Sequence, residues 1–116
     1  FKNLKKEKVK VTTLDSILLN DVFDFIKIDV EGMEEKTILG GEVIFERNKD
    51  AIIQIEIYEW QFKKTHNLLS KFYKNTYVPL IKDGEISEFR NLKAFQSLSE
   101  INFIGPPNYI YSNSSI

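Results

Sequence analysis

Four carboxylates pose the chemical question in this sequence. Asp29, Glu31 and Glu34 lie two and three residues apart in KIDVEGMEE, and Glu59 ends a second run, AIIQIEIYE. A carboxylate can take a proton from an attacking hydroxyl, accept hydrogen bonds from a ribose or sugar, or hold a hard cation through its oxygens. Acids just before a helix also stabilise its N-terminus, so capping competes with chemistry as the role of Asp29, Glu31 and Glu34. The calcium-loop reading fails on spacing, because DVEGMEE has glycine at its fourth position where that loop requires it at the sixth. His66, the only histidine, could serve as a general base. It falls mid-helix on the flank of an apolar stripe, which points to packing or a surface role.

The elements around these residues alternate. Val9 and Val11 open a short strand after a lysine-rich lead-in, and Thr12 or Thr13 suits the N-cap of a helix carrying Leu14, Ile17 and Leu18. Asp15 sits in that helix's first turn, where it complements the positive end of the dipole. Val22 to Val30 has the β-branched and aromatic content of an interior strand, with Ile26, Ile28 and Val30 on one face and Phe25, Lys27 and Asp29 on the other. MEEKTILGG reads as a helix closed by Gly40 and Gly41, and EVIFERN as another helical turn or two. Ala51 to Glu59 is a second interior strand, and Trp60 to Lys74 an amphipathic helix. TYVPLIKDGEISEF is a hairpin around Asp83-Gly84, with Pro79 arguing for an edge position. INFIG reads as a last strand and PPNYIYSNSSI as a loosely held tail. Strand, helix, strand, helix and then antiparallel strands is an α/β order.

In this order Asp29, Glu31 and Glu59 emerge at the carboxyl edge of two parallel strands, where ligands of open α/β sheets gather. Lys27 and Glu56 fall inside strands expected to be covered on both faces, where an unpaired charge costs several kcal/mol, so a cross-strand ion pair between them is expected.

Composition narrows the classes. With 116 residues, 42% of them hydrophobic, the chain supports one core. Its 16 basic and 17 acidic side chains leave a net charge of −1, which draws it to neither nucleic acid nor an anionic membrane. No cysteine is present, which removes disulfides and thiolate chemistry, and no apolar run approaches the roughly 20 residues of a membrane span. The expected setting is soluble and cytoplasmic.

TLDSI, FDFIKIDVEGMEEKTILGG and IIQIEI, in that order and at those separations, resemble the C-terminal half of an FkbM-type methyltransferase domain. The likeness is good over Val9 to Ile57 and looser out to about Pro107. Met33 departs from the usual small residue after the glycine. The resemblance implies S-adenosylmethionine as cofactor and a class I, Rossmann-like sheet of seven strands, the last antiparallel. VFDFIKIDV would be the fourth strand, AIIQIEIYE the fifth, and the hairpin plus INFIG the sixth and seventh. Residues 1–107 would then be a partial domain beginning after its third strand, and 108–116 a tail. By carry-over Asp29 would bind or deprotonate the acceptor, with Glu31 beside it. Glu34 and Glu59 would contact the acceptor, or Glu34 would shape the loop. The acceptor would be a small molecule or glycan hydroxyl.

The glycine-rich turn that receives the cofactor in this fold is not in the sequence, so the cofactor-binding residues are not assignable here, and no metal ligands are assigned. A first strand without its neighbour would expose an edge that invites a homodimer. Two other readings stand beside the enzyme: a noncatalytic α/β module that binds a partner, and a carboxylate metal site at the same rim.

Overall fold

In the computed structural model residues 6–18, 20–94 and 108–116 are described. Among these residues nine elements follow in chain order: α1 (Leu14–Leu18), β1 (Phe25–Ile28), α2 (Glu34–Leu39), α3 (Glu42–Arg47), β2 (Ile52–Glu56), α4 (Phe62–Leu69), β3 (Asn75–Lys82), β4 (Glu85–Asn91) and β5 (Asn108–Ser112). Short 3-10 turns at Glu59–Gln61 and Leu92–Ala94 complete them. The two expected parallel strands, the hairpin and the long helix are present, the parallel strands and the helix shorter than their sequence patterns.

The five strands form one sheet in the order β1-β2-β5-β3-β4. β1 and β2 are parallel, and every other pair is antiparallel, so the fold is α/β with a mixed sheet. Alternation decides its faces. Register aligns Ile26 and Ile28 with Ile53 and Ile55, and these with Tyr111 and Tyr109. This face meets Ile38, Phe45 and Leu69 from the helices in one core. Ile53, Ile55 and Ile57 are wholly buried, each contributing about 1.5–3 kcal/mol.

The segment expected to be a loose tail is held in the interior instead. β5 lies between β2 and β3, with Tyr109 and Tyr111 buried. Just beyond it, the Asn113 side chain accepts from Lys74 N–H and donates to the carbonyls of Lys49 and Phe72. The expected INFIG strand lies outside the described residues, so the last strand is Asn108–Ser112. At the chain's other end no strand forms at Val9 and Val11, which are 83% and 91% exposed.

The expected Lys27–Glu56 ion pair is absent. Among the described residues the ion pairs are Glu46–Lys49 and Glu88–Arg90. Lys27 stands opposite Gln54 and is exposed. Its row, with Phe25, Gln54 and Glu56, points away from the core, and among the described residues no helix packs there, so the charge keeps its water and needs no partner.

Glycine and aspartate act across elements. Gly40 ends α2 in ordinary right-handed backbone (φ −77°), so left-handed freedom is not its use. A Cβ at Gly40 would meet Thr13 at 3.3 Å, and one at Gly41 would meet Leu14 and Phe45 at 3.1 Å, which is why two glycines stand where α1 crosses. Thr13 caps α1 as expected, accepting from Ser16 N–H. Asp15 caps α3 rather than merely complementing its own helix: its two carboxylate oxygens accept from Val43 and Ile44 N–H at 3.1 and 2.9 Å. The Asp83-Gly84 turn forms as expected, with φ of +53° and +80°. Pro79 lies in β3 beyond Tyr77, the last residue that pairs with β5, so its missing N–H breaks no ladder on that side. No helix of the described residues is long and apolar enough to cross a membrane.

Candidate functional site

β1 ends at Ile28, and after Asp29 the four residues Val30 to Met33 reverse the chain into α2. Met33 N–H donates to the Val30 carbonyl at 3.2 Å, and the two residues between have positive φ, +43° at Glu31 and +100° at Gly32. Gly32 accepts this backbone at no steric cost, whereas Glu31 does so at about 1–2 kcal/mol. Such a strained residue is held by its surroundings.

Two buried side chains do the holding. Glu34 is 1% exposed, and its carboxylate oxygens accept from Gly32 N–H at 2.9 and 3.2 Å. Its charge also meets the first turn of α2, which has no side-chain cap of its own. Gln61, 6% exposed, donates from Nε2 to the Gly32 carbonyl at 2.8 Å while its Oε1 accepts from Tyr58 N–H at 3.4 Å. Both backbone groups of Gly32 are thereby paired, and the turn after β1 is tied to the 3-10 turn after β2.

The predicted site residues separate on this frame. Asp29 and Glu31 are exposed at the carboxyl end of β1, free to meet a ligand. In the described sheet that strand is an edge, not a central member. Glu34 is turned inward and committed to Gly32, which favours the loop-shaping role over contact with an acceptor. Glu59 is exposed, and its charge, after burial, helps raise the phenol pKa of Tyr109 on β5. Glu56 follows Ile55, which pairs with Ile28, so it falls beside Asp29 across the two strands, and partial desolvation and then the charges of Glu56, Glu31, Glu34 and Asp29 push the Tyr58 phenol upward. Among the described residues no group of three His, Cys, Asp or Glu side chains is arranged to hold a metal ion.

Gln61, Tyr58 and Glu56 join the candidate site in the structure, and sequence reasoning did not place them there. Glu56 could have been found from alternation, since it shares a face with Lys27 and Asp29.

Along β1 runs an open groove of about 570 Å³, lined by Phe25, Ile26, Ile28, Ile44 and Phe45, with Lys27, Asp29 and Val30 also on its wall. This arrangement can hold an apolar body against β1 and present a carboxylate to a hydroxyl at the strand end.

His66 lies elsewhere and is structural. Its ring stacks on Phe62 at 4.9 Å, and Nδ1 lies 2.8 Å from Tyr111 Oη. Burial lowers its pKa.

A family model described as the methyltransferase FkbM domain matches residues 1–79. No curated protein matches the chain, and no solved structure does.

Proposed function

The chain belongs to the FkbM methyltransferase domain family, and from that premise we propose that it carries the acceptor side of an S-adenosylmethionine-dependent O-methyltransferase acting on a hydroxyl of a sugar or small metabolite. The observation that carries the reading is the Glu31-Gly32 turn, which leaves Asp29 exposed at the carboxyl end of β1, on the wall of the groove. The class I fold is supported by β5, the last strand, which runs antiparallel to both its neighbours.

The residues described do not themselves make a cradle for the cofactor. Gly32 has both backbone groups engaged, Gly40 and Gly41 are spent on packing against α1, and Gly84 turns the hairpin. What these residues offer is the other half of the chemistry. Asp29 accepts the hydrogen bond of an acceptor hydroxyl and takes its proton as the oxygen becomes nucleophilic. Glu31, one turn residue away, orients a second hydroxyl. Glu34 and Gln61 keep the turn in the geometry that aims both, and alignment is where most of the rate would come from. A cytoplasmic setting belongs to the same reading.

The test is Asp29→Asn. Methyl transfer from labelled S-adenosylmethionine to a panel of hydroxyl acceptors should fall by about 100-fold or more, the usual contribution of a general base, with donor affinity changed little. A variant that keeps the full rate removes Asp29 from the chemistry. The noncatalytic module is favoured by one observation, the lack of a cradle among the described glycines. Calorimetry with S-adenosylmethionine decides between the two, because a bare scaffold shows no saturable binding.

A further inference from the structure

Tyr58 and Trp60 stack with ring centroids 6.3 Å apart and planes 15° from parallel. Trp60 is 77% exposed, the most exposed aromatic side chain among the described residues. An indole left in water forgoes the large apolar gain its burial would bring, and here it is held flat rather than tucked away. The pair sits in the turn after β2 that Gln61 fastens to Gly32 at 2.8 Å, so it flanks the turn bearing Glu31 and Asp29. Among the described residues neither of these acids, nor Glu56, is in an ion pair. Their charges therefore act on whatever the aromatic faces take up, and a cluster of one sign of charge discriminates by ligand charge.

We propose that Tyr58 and Trp60 form the stacking platform for the acceptor ring, and that the rim beside them admits neutral or ammonium-bearing rings and turns away phosphorylated or carboxylated ones. The inference rests on the acceptor reading above and adds the charge of the acceptor to it. A sugar ring offers polarised C–H groups to the two aromatic faces while its hydroxyls donate to Asp29, Glu31 and Glu56. An ammonium gains twice, from the ring faces and from the carboxylates. A phosphate or carboxylate meets three acids against one cation of the same row, Lys27.

Trp60 is the chain's only tryptophan, so its fluorescence reads the platform directly, with no methyl donor and no turnover. The chain is titrated with methyl glucoside, glucosamine and glucose 6-phosphate. Saturable changes are expected with the first two, glucosamine binding more tightly, and an affinity at least tenfold weaker for the phosphate. Tyr58→Ala should weaken glucosamine binding fivefold or more, while Lys82→Ala, on the distant hairpin, leaves it unchanged. Glu31→Gln with Glu56→Gln should narrow the gap between glucosamine and glucose 6-phosphate to within about threefold. No fluorescence response to any sugar, equal affinity for the phosphate, or indifference to Tyr58→Ala overturns the proposal. Calorimetry with S-adenosylmethionine on the same preparation keeps the two readings apart. Donor binding without sugar binding sinks the platform alone, and sugar binding without donor binding sinks the methyltransferase reading alone.

Discussion

The Gln61 side chain donates to the Gly32 carbonyl at 2.8 Å, joining two strand-end turns that lie 29 residues apart in sequence. Its other end accepts from Tyr58 N–H, so one buried amide sets the distance between the acidic turn and the aromatic turn. Gln61→Leu keeps the bulk and removes both bonds, leaving the Gly32 carbonyl and the Tyr58 N–H short of partners. A loss of about 1–3 kcal/mol is expected, read from the shift of the urea midpoint. If Asp29 acts as proposed, methyl transfer should fall as well, because its alignment is lost. A midpoint within error of the parent would mean that water replaces the amide without cost.

Backbone strain supplies a second prediction with opposite signs at adjacent positions. At Gly32, φ is +100°, and a Cβ there would find only Gln61 Nε2, at 4.0 Å, so space is not the obstacle. Gly32→Ala should therefore destabilise through φ alone, by about 1–2 kcal/mol. Glu31→Gly relieves a residue at φ +43° and should change stability little or raise it, since what it gains in steric ease offsets the entropy glycine loses on folding. Thermal melts of the two variants should move in different directions, or one should move and the other stay. If both fall equally, the turn is held by the Glu31 side chain and not by its backbone.

How much of this was legible beforehand follows from where each residue's partner lies. Asp83-Gly84 could be read as a turn because both residue types tolerate positive φ and the partners are adjacent. Glu31 could not, because glutamate has no such preference, and its conformation is imposed by Glu34 and by Gln61 far along the chain. Asp15 was legible as a helix-end acid, but it serves α3, 28 residues away, and nothing local says so. Asn108–Ser112 was obscured by the prolines before it and the serines after it. The alternation of Tyr109 and Tyr111 was the available signal, too short against that background. Lys27 and Glu56 depart from the expected ion pair for a physical reason: an apolar strand implies cover on two faces only when helices lie on both.

Thr65 offers a test of how α4 meets the sheet. Its side chain is wholly buried, and its hydroxyl is the one buried side-chain polar atom among the described residues without a hydrogen-bond partner. Burying an unpaired hydroxyl costs about 1–3 kcal/mol, whereas a methyl of the same shape costs nothing in lost hydration. Thr65→Val should therefore stabilise the protein by about 1 kcal/mol, seen as a higher urea midpoint at an unchanged slope. Destabilisation would show that the hydroxyl has a partner, such as a buried water, worth more than the penalty.

The pH dependence of stability should carry the mark of His66. Burial lowers its pKa from the ordinary 6.5, so the folded protein binds its proton less readily than the unfolded chain does. Between the two values the unfolded state holds more protons, and stability rises with pH. The contribution is complete above about pH 6.5 and declines as pH falls through the lowered folded value. Geometry gives the reason for the preference. Neutral His66 stacks on Phe62, with Nδ1 beside Tyr111 Oη at 2.8 Å and Nε2 beside Ser70 Oγ at 3.3 Å. Desolvation holds the Tyr111 phenol protonated well above the usual tyrosine range, so it remains available to donate to Nδ1. A second ring proton would leave both ring nitrogens as donors and place a charge against Phe62. Urea midpoints measured from pH 7.5 to 5 should fall for the parent, and His66→Gln, which cannot gain a proton, should lose part of that fall. Parallel pH profiles for the two proteins would mean that the ring takes its proton without penalty, and that the Tyr111 hydroxyl turns to accept from it.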